Sequence, residues 1–566
     1  MGNKVTLNES NLSSANWLVP GTKALPCLTV EQIRSVEQQA FELIDSWLIM
    51  RAAGFRATEK ILELANNTNL PDKKPNFVVL AGPGNNGGDA LVVASQLAKK
   101  GHKVKLCECL LGKSATKNQP GSSDRQKAKQ LSIAAGLDHT PIQDIEWAEN
   151  TVVIDGLLGI GCTRPPEGKI AEAIRKISAL QSFLNKNDQR HQLTVIALDC
   201  PSGLDCNTGL CPGIAIEANY SLCFIALKPG LLCNQGKDMA GDIFIDTLGC
   251  DPLLATSNAS TVVGHQAYQT RLPFRKHNNH KANFGSLAIY GGDKGMIGAC
   301  LLSARTALML GTGRVAMTLL SEHNREFIAP KDRRPETEMP FIDTLFPEIM
   351  NKSLVENQLF SDCAVIGPGL GTSTTACDLL QQVLFSERGQ PLVIDADAIN
   401  MLAIYEHVKD RLIDIRKDHS EPNHELVITP HAQEAARLLS CSTKQINANR
   451  MESALKISSR FNCTVVLKGA GTLIADANHC LVNSTGGPAL ATAGSGDVLA
   501  GAIGAFLAQG LNGKDAASCA VWLHGLSVQR NSYHEQPLLV SHASEIALRM
   551  KQLYNHLLCD RTLNHR

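Results

Sequence analysis

Gly82-x-Gly84-x-x-Gly87 stands between the apolar run Phe77 to Ala81 and a helical pattern that opens near Asn85. Strand, glycine loop, helix is an order that turns backbone N–H groups and a helix N-terminus toward an anion, and a diphosphate satisfies them. With Glu108 about twenty residues further on, the spacing matches the fingerprint of a dinucleotide-using dehydrogenase. Asn85, Asn86 and Asp89 depart from that fingerprint. A carboxylate at the mouth of a phosphate site repels the ligand, unless it caps the helix or faces a hydroxyl or an ammonium-like centre.

Two further apolar runs end in polar groups. Asp155 closes "VVID" ahead of "GLLGIGCTRPPEG", and Asp199 closes "VIALD" ahead of "CPSGLDCNTG", which carries Ser202. In a parallel sheet the C-terminal ends of the strands share one edge, so these groups are expected beside Asn86. Asn86, Asp155 and Ser202 offer hard oxygen ligands with a single formal negative charge, a set better suited to potassium than to zinc. Asp199 then remains as a free acid or base. Either aspartate alone could equally end a strand and cap a turn.

The second half holds "ATAGSGDVLAGAIGAFLAQG", in which Gly494, Ser495, Gly496 and Asp497 lead directly into an apolar helical pattern. Small residues let a helix N-terminus approach a phosphate closely, and Asp497 falls where a base meets a hydroxyl beside a transferring phosphoryl group. Upstream, "VVLKGAGTLIAD" supplies Lys468 and a second glycine turn suited to a nucleotide. "VIGPGLGTS" and "VITPHAQEAARL" follow strands and can wall an acceptor pocket.

Parallel sheets covered by helices are what can hold such loops in place. From Leu28 to about Leu248 short β-branched runs alternate with helical patterns, with strands expected at Phe77 to Ala81, Lys103 to Cys107, Thr151 to Asp155, Thr194 to Asp199 and Tyr220 to Ala226. Leu28-Thr29-Val30-Glu31-Gln32 reads as an N-cap, so a helix precedes them. A second series runs from Gly285 to about Leu557, with strands expected at Ser286 to Tyr290, Ala364 to Gly367, Pro391 to Asp395, Leu426 to Thr429 and Thr464 to Lys468, and a long helix after Asp497. The expected organisation is a flexible segment over 1–25, a first domain over 26–249, a linker over 250–280 and a second domain over 281–560. His277 and His280 read as solvated linker histidines.

The whole chain of 566 residues balances 54 Lys and Arg against 54 Asp and Glu, which offers no global field for nucleic acid or an anionic membrane. Small molecules are the expected partners. No apolar stretch reaches the length of a membrane helix, the N-terminus lacks a signal-peptide core, and the eighteen cysteines are scattered without paired CxxC motifs, so reduced thiols in a cytoplasmic protein are expected. Met1-Gly2-x-x-x-Thr6 matches the loose N-myristoylation pattern only formally.

"GPGNNGGDALVVASQL", "DGLLGIGCTRP" and "ALDCPSGLD" resemble the NAD(P)H-hydrate epimerase family over most of Leu28 to Leu248. The resemblance implies a Rossmann-like αβα sandwich. It implies that Asn85, Asn86, Gly87, Gly88 and Asp89, together with Gly159, Ile160, Gly161, Cys162, Thr163, Arg164 and Pro165, contact the hydrated nucleotide. It also implies that Asn86, Asp155 and Ser202 hold K+, and that Asp199 is the acid/base.

From about Lys281 to Leu557, "YGGDKGMIGACLLSARTALMLGTGRV", "GPGLGT", "DADAINML", "TPHAQEAARLL" and "GSGDVLAG" resemble the ADP/ATP-dependent NAD(P)H-hydrate dehydratases, which are ribokinase-like αβα proteins. That resemblance implies that Ala299, Gly369, His431, Glu434, Arg437 and Asp497 face the hydrate. Lys468, Gly469, Ala470, Gly471, Thr472, Gly494, Ser495 and Gly496 would bind ADP or ATP with Mg2+, and Asp497 would be catalytic. The implied function is repair of NADHX and NADPHX in two steps, epimerisation and dehydration, by a homo-oligomer. The alternative is a vitamin kinase of the hydroxymethylpyrimidine type fused to a Rossmann-like NAD-binding domain.

Overall fold

The computed structural model describes residues 17–66, 74–110, 122–189, 192–250, 260–262, 265–320, 342–417, 424–477, 479–529 and 538–563. The formal myristoylation pattern at Met1 to Thr6 and most of the expected N-terminal segment lie outside the described residues, as does 251–259 of the expected linker. The chain divides into two compact units between Thr261 and Val262.

The first helix of unit 1 is α1 (Val30–Leu43), which Thr29 starts through a capping box: the Gln32 amide donates to Thr29 Oγ1 at 3.3 Å, and Gln32 Oε1 accepts from the Thr29 amide at 2.9 Å. Then follow α2 (Ser46–Asn66), β1 (Asn76–Ala81), α3 (Asn85–Lys99), β2 (Val104–Glu108), α4 (Ser122–Ala134), β3 (Thr151–Gly156), α5 (Gly168–Lys186), β4 (Leu193–Leu198), β5 (Tyr220–Phe224) and β6 (Asp242–Asp246). They form a six-stranded sheet in the order β2-β1-β3-β4-β5-β6, parallel throughout. Strands buried on both faces need apolar residues at every position. Phe77, Val79, Ala81, Ile154 and Ile196 accordingly enter one core, and Val78, Leu80, Val153 and Val195 enter another on the opposite face. The register pairs Leu80 with Asp155 and Asp155 with Ala197, so the C-terminal ends of β1, β3 and β4 lie level.

Unit 2 contains α6 (His265–Arg271), β7 (Ser286–Gly291), α7 (Ile297–Met309), β8 (Arg314–Leu319), β9 (Met350–Asn351), β10 (Cys363–Ile366), β11 (Leu392–Ile394), α8 (Ala396–Ile404), β12 (Leu426–Ile428), α9 (Ala432–Leu438), α10 (Arg450–Phe461), β13 (Thr464–Leu467), β14 (Leu473–Asp476), β15 (His479–Val482), α11 (Ser495–Ala508), α12 (Gly513–Gln529) and α13 (Ala543–Leu563). Its strands run in the order β15-β14-β13-β12-β11-β10-β7-β8-β9. From β13 to β9 the pairing is parallel, whereas β13, β14 and β15 pair antiparallel. Both units are layered α/β structures, as expected.

Three expectations change here. The long helix after Asp497 is α11, which stops at Ala508 where Gly510 takes a φ of +93° and lets the chain turn. The antiparallel β14–β15 pair, β6, β8 and β9 were absent from the expected strands. The stretch read as linker contains α6, whose Tyr268 is 2% exposed and stacks on Trp522 at 4.9 Å between ring centroids, within the core of unit 2. His280, read as solvated, is exposed, and its amide donates to Asn283 Oδ1 at 2.9 Å before the short turn Lys281–Phe284. Among the described residues no helix is long and apolar enough to cross a membrane.

Candidate active sites

In unit 1 the glycine loop is made by close backbone packing. A Cβ on Gly82 would stand 1.7 Å from the Leu157 carbonyl oxygen, and one on Gly87 would stand 2.0 Å from the Gly82 oxygen, so neither position admits a side chain. Gly84 differs: it is the N-cap of α3 with no side-chain cap, and a Cβ there meets nothing within 4 Å. Its space faces away from the protein. Arg125 on α4 donates from Nε to the Gly82 oxygen at 2.9 Å and from its guanidinium to Glu108 at 3.3 Å, and Lys129 pairs with the same carboxylate. Glu108 therefore anchors the arginine that clasps the loop, which accounts for its burial and removes it from any ribose.

Asn86 and the ends of β3 and β4 meet behind that loop. Asn86 donates from Nδ2 to the Leu158 and Leu198 oxygens at 2.8 and 3.0 Å, while its buried Oδ1 has no hydrogen-bond partner. Asp155, fully buried, accepts from the Ser202 hydroxyl at 2.6 Å, the Ser202 amide at 2.8 Å and the Leu157 amide at 3.1 Å. Burial nevertheless pushes its pKa up to about 6. Ser202 Oγ also accepts from the Leu158 amide at 2.8 Å. The structure thus brings Asn86, Asp155 and Ser202 together, as their strand-end positions predict.

Asp199 follows β4 with a φ of +63°. Its Oδ1 accepts from the Phe224 amide at 3.1 Å and from Lys228 Nζ. Around it stand Glu37 on α1, pushed up to about 7 by burial and then by the charge of Asp199, and half-buried Asp89 on α3, raised by burial and by the charges of Asp199 and Glu37. Asp89 and Asp199 thus share one site, and the carboxylate that disagreed with the dehydrogenase fingerprint faces another acid. In the loop after β3, a Cβ on Gly159 would lie 3.3 Å from Asn86 Cβ, Ile160 packs on the core, and Gly161 approaches Arg34. Cys162 is buried, whereas Thr163, Arg164 and Pro165 are exposed. Lys228, Glu37 and Arg34 escaped the sequence reading. Glu37 had a weak signal, an acid on the buried side of a capped helix. Lys228 had none.

In unit 2 Lys468 ends β13 and donates from Nζ to Asp395 Oδ1 at 2.7 Å, with Glu434 Oε2 at 3.9 Å. Burial alone would lower the lysine's pKa, but Asp395, Glu434 and Asp497 together raise it. Asp395, 1% exposed, also accepts from Thr429 Oγ1 at 2.5 Å. Asp497 lies on the first turn of α11, where burial and the charge of Asp395 push it up to about 7. A Cβ on Gly496 would sit 3.5 Å from Lys468 Nζ, and Gly494 holds a φ of +83°, so the turn "GSG" closes directly over the lysine. Ser495 Oγ lies 3.1 Å from Nε2 of His524, whose pKa is depressed to about 4 by burial and which is therefore neutral at pH 7.

The remaining predicted residues lie on other loops and helices of unit 2. A Cβ on Gly369 would stand 3.2 Å from Ala299 Cβ, and the Gly369 φ of +60° admits little else. His431 caps α9 and pairs at 3.2 Å with Glu434, which burial pushes up to about 7. Arg437 is exposed and donates to Asn400 Oδ1 at 2.6 Å. The turn Lys468, Gly469, Ala470, Gly471, Thr472 has φ of +145° at Gly469 and +64° at Gly471, and buried Arg450 binds the Leu467 oxygen at 3.2 Å and the Gly471 oxygen at 3.4 Å from beneath it. Arg450 and Asp395 were not among the predicted site residues. "DADAINML" was a visible motif for Asp395, and Arg450 lay unmarked on a helix.

Residues 48–230 match the family model of the YjeF-related protein N-terminus, and residues 287–549 match that of NAD(P)H-hydrate dehydratase. The chain is 35% identical over 500 residues to a bifunctional NAD(P)H-hydrate repair enzyme of Escherichia coli (strain K12), with 88% of this chain and 87% of that one covered. It is 32% identical over 501 residues to one of Moorella thermoacetica, with 85% and 88% covered. Among solved structures, an ADP/ATP-dependent NAD(P)H-hydrate dehydratase from Bacillus subtilis, co-crystallised with ATP and Mg2+, is similar at a TM-score of 0.41 and 24% identity, over 52% of this chain and 96% of that one.

Proposed function

The chain belongs to the bifunctional NAD(P)H-hydrate repair enzymes, and on that premise we propose that unit 1 interconverts the R and S forms of hydrated NADH and NADPH while unit 2 dehydrates the S form at the expense of ADP or ATP. Hydration at C6 creates a stereocentre, and a stereospecific dehydratase restores only one of its two forms. An epimerase in the same chain makes the other form available.

In unit 1 the N-terminal turn of α3, with Gly84 open before it, suits the diphosphate of the hydrate. Asp199 assists proton transfer at the C6 hemiaminal, with Asp89 and Glu37 as neighbouring acids. The unpartnered, buried Oδ1 of Asn86 beside Asp155 and Ser202 fits a weakly charged cation. These three residues would hold potassium, which supplies a fixed positive charge at this strand edge.

In unit 2 Asp497 takes the proton of the C6 hydroxyl as the terminal phosphoryl group of the nucleotide moves to that oxygen. Hydroxide leaves poorly, whereas phosphate leaves readily; breaking the C6–O bond and losing the C5 proton restores the dihydropyridine. Lys468 to Thr472 and the Gly494-Ser495-Gly496 turn bind the adenine nucleotide, with which Mg2+ enters. Ala299, Gly369, His431, Glu434 and Arg437 receive the hydrate.

The observation that carries the reading is the approach of Gly496 to Lys468, with Asp497 next to it on the first turn of α11, in a chain whose other unit gathers Asn86, Asp155, Asp199 and Ser202 at one strand edge. Incubation with mixed hydrate epimers, ADP and Mg2+ tests it through recovery of reduced-nicotinamide absorbance. Full recovery is expected. Recovery of one epimer alone would remove the epimerase assignment, and a stable phosphorylated product would favour a vitamin kinase.

A further inference from the structure

Lys228 lies in the turn that leaves β5 and is fully buried. Its ammonium makes contacts in three directions: to Asp199 Oδ1, to the Phe224 oxygen at 2.9 Å and to Cys223 Sγ at 3.2 Å. The turn is built for this approach, since Ile225 adopts a φ of +66° and the Phe224 amide donates to Asp199 Oδ1 at 3.1 Å. Both contacts to Asp199 reach the same oxygen, which leaves Oδ2 to meet a substrate proton. We propose that Lys228 is a positioning residue for epimerisation, fixing the Asp199 carboxylate by one oxygen and setting a buried positive charge against it.

The surroundings show why such a partner is needed. Asp199 stands near two other carboxyls, Glu37 on α1 and Asp89 on α3, and near the thiols of Cys200 and Cys223; Cys206 stands near the lysine, and Arg34 on α1 faces Glu37. Repulsion among three carboxyls favours protonation of each, and an incoming dinucleotide adds its own negative phosphates. Lys228 is the buried cation in contact with Asp199. Although burial by itself lowers the proton affinity of a lysine, the Asp199 charge and hydrogen bond turn the balance upward, so the ammonium stays charged. Glu37 and Asp89 are raised, by burial first and by the Asp199 charge second, so both acids keep their protons to higher pH than an exposed carboxyl does. A strand-ending aspartate that merely capped a turn would have no use for a buried ammonium, because its backbone donors suffice.

The inference rests on epimerisation residing in unit 1, and the test separates the two. Initial rates of interconversion from a single hydrate epimer are measured with the full-length protein, without nucleotide, across pH, and with the uncatalysed rate subtracted. Wild type, Lys228→Met and Lys228→Arg are compared, each also with Glu37→Gln so that Glu37 cannot supply the limb. In Lys228→Met the acid limb of kcat is expected to move up by about 1–3 pH units, the usual effect of one adjacent opposite charge on a carboxyl, with KM changed far less. Lys228→Arg is expected to keep the limb at the wild-type position at reduced kcat. An unmoved limb in a folded Lys228→Met protein would overturn the proposal, and so would an equal movement in both variants. Should Lys228→Met fail to fold, Lys228→Arg decides alone: an unmoved limb supports the role and a displaced one refutes it. A wild-type protein with no epimerisation at all would instead refute the assignment of unit 1.

Discussion

Asp497 must be ionised to accept a proton, and burial together with the charge of Asp395 opposes ionisation up to about pH 7, against the pull of Lys468. A carboxyl raised in this way is protonated over a wider range, so its useful form is lost as pH falls. ADP-dependent dehydration is expected to rise with pH through about 7 and to level off above it. Lys468→Met should displace that limb further upward, because it removes the one charge that favours the carboxylate; initial rates across pH check both. At the other site the orphaned Oδ1 of Asn86 predicts a cation effect on stability. Potassium at ten times its Kd is expected to stabilise the wild type by about 1.4 kcal/mol. Asn86→Ala should lose most of that increment in a urea titration with and without the ion. These residues were legible in the sequence to different degrees. Asp155 and Asp199 stood out because each ends an apolar run with a carboxylate, and Asp497 because it follows a glycine turn and opens an apolar helical pattern. Lys228 did not: it is separated from Asp199 by 29 positions and meets it only because β4 and β5 pair.

The strand–loop–helix element turns these residues into a site, and its glycines are not interchangeable. Gly87→Ala forces a methyl group to within 2.0 Å of a backbone oxygen, so it is expected to destabilise unit 1 by about 1–3 kcal/mol and to abolish epimerisation. Gly84→Ala enters open space at an ordinary φ of −91°, so it should leave unfolding within about 0.5 kcal/mol of wild type and act, if at all, on KM. Equilibrium unfolding beside epimerisation kinetics distinguishes the two. The parallel strands were readable because burial on both faces demands runs such as "NFVVLA" and "TVVIDG". The β14–β15 pair was harder, since polar residues end the one and begin the other, "LIAD" and "HCLV", and neither continues an apolar run. The seven-residue α6 hid in a polar stretch because its place in the core depends on Tyr268 meeting Trp522, a partner 254 positions away. Glu108 misled for a related reason: its spacing fits a ribose ligand, and only the fold reveals that Arg125 and Lys129 already occupy it.

Each unit of the molecule has its own cores and holds one of the two proposed catalytic aspartates, so two activities are expected to reside in two separable sites. The sequence carried this claim through its motifs, since each half holds a distinct set of glycine turns, whereas the boundary between Thr261 and Val262 lies in a stretch without periodicity. The most direct test is Asp497→Asn in the full-length protein, given a single R epimer with ADP and Mg2+ and followed at once by absorbance and by chromatographic separation of the epimers. R and S forms are expected still to equilibrate at the wild-type rate while formation of reduced nicotinamide falls to the uncatalysed level. If epimerisation and dehydration failed together in a folded Asp497→Asn protein, two separate sites could not be maintained.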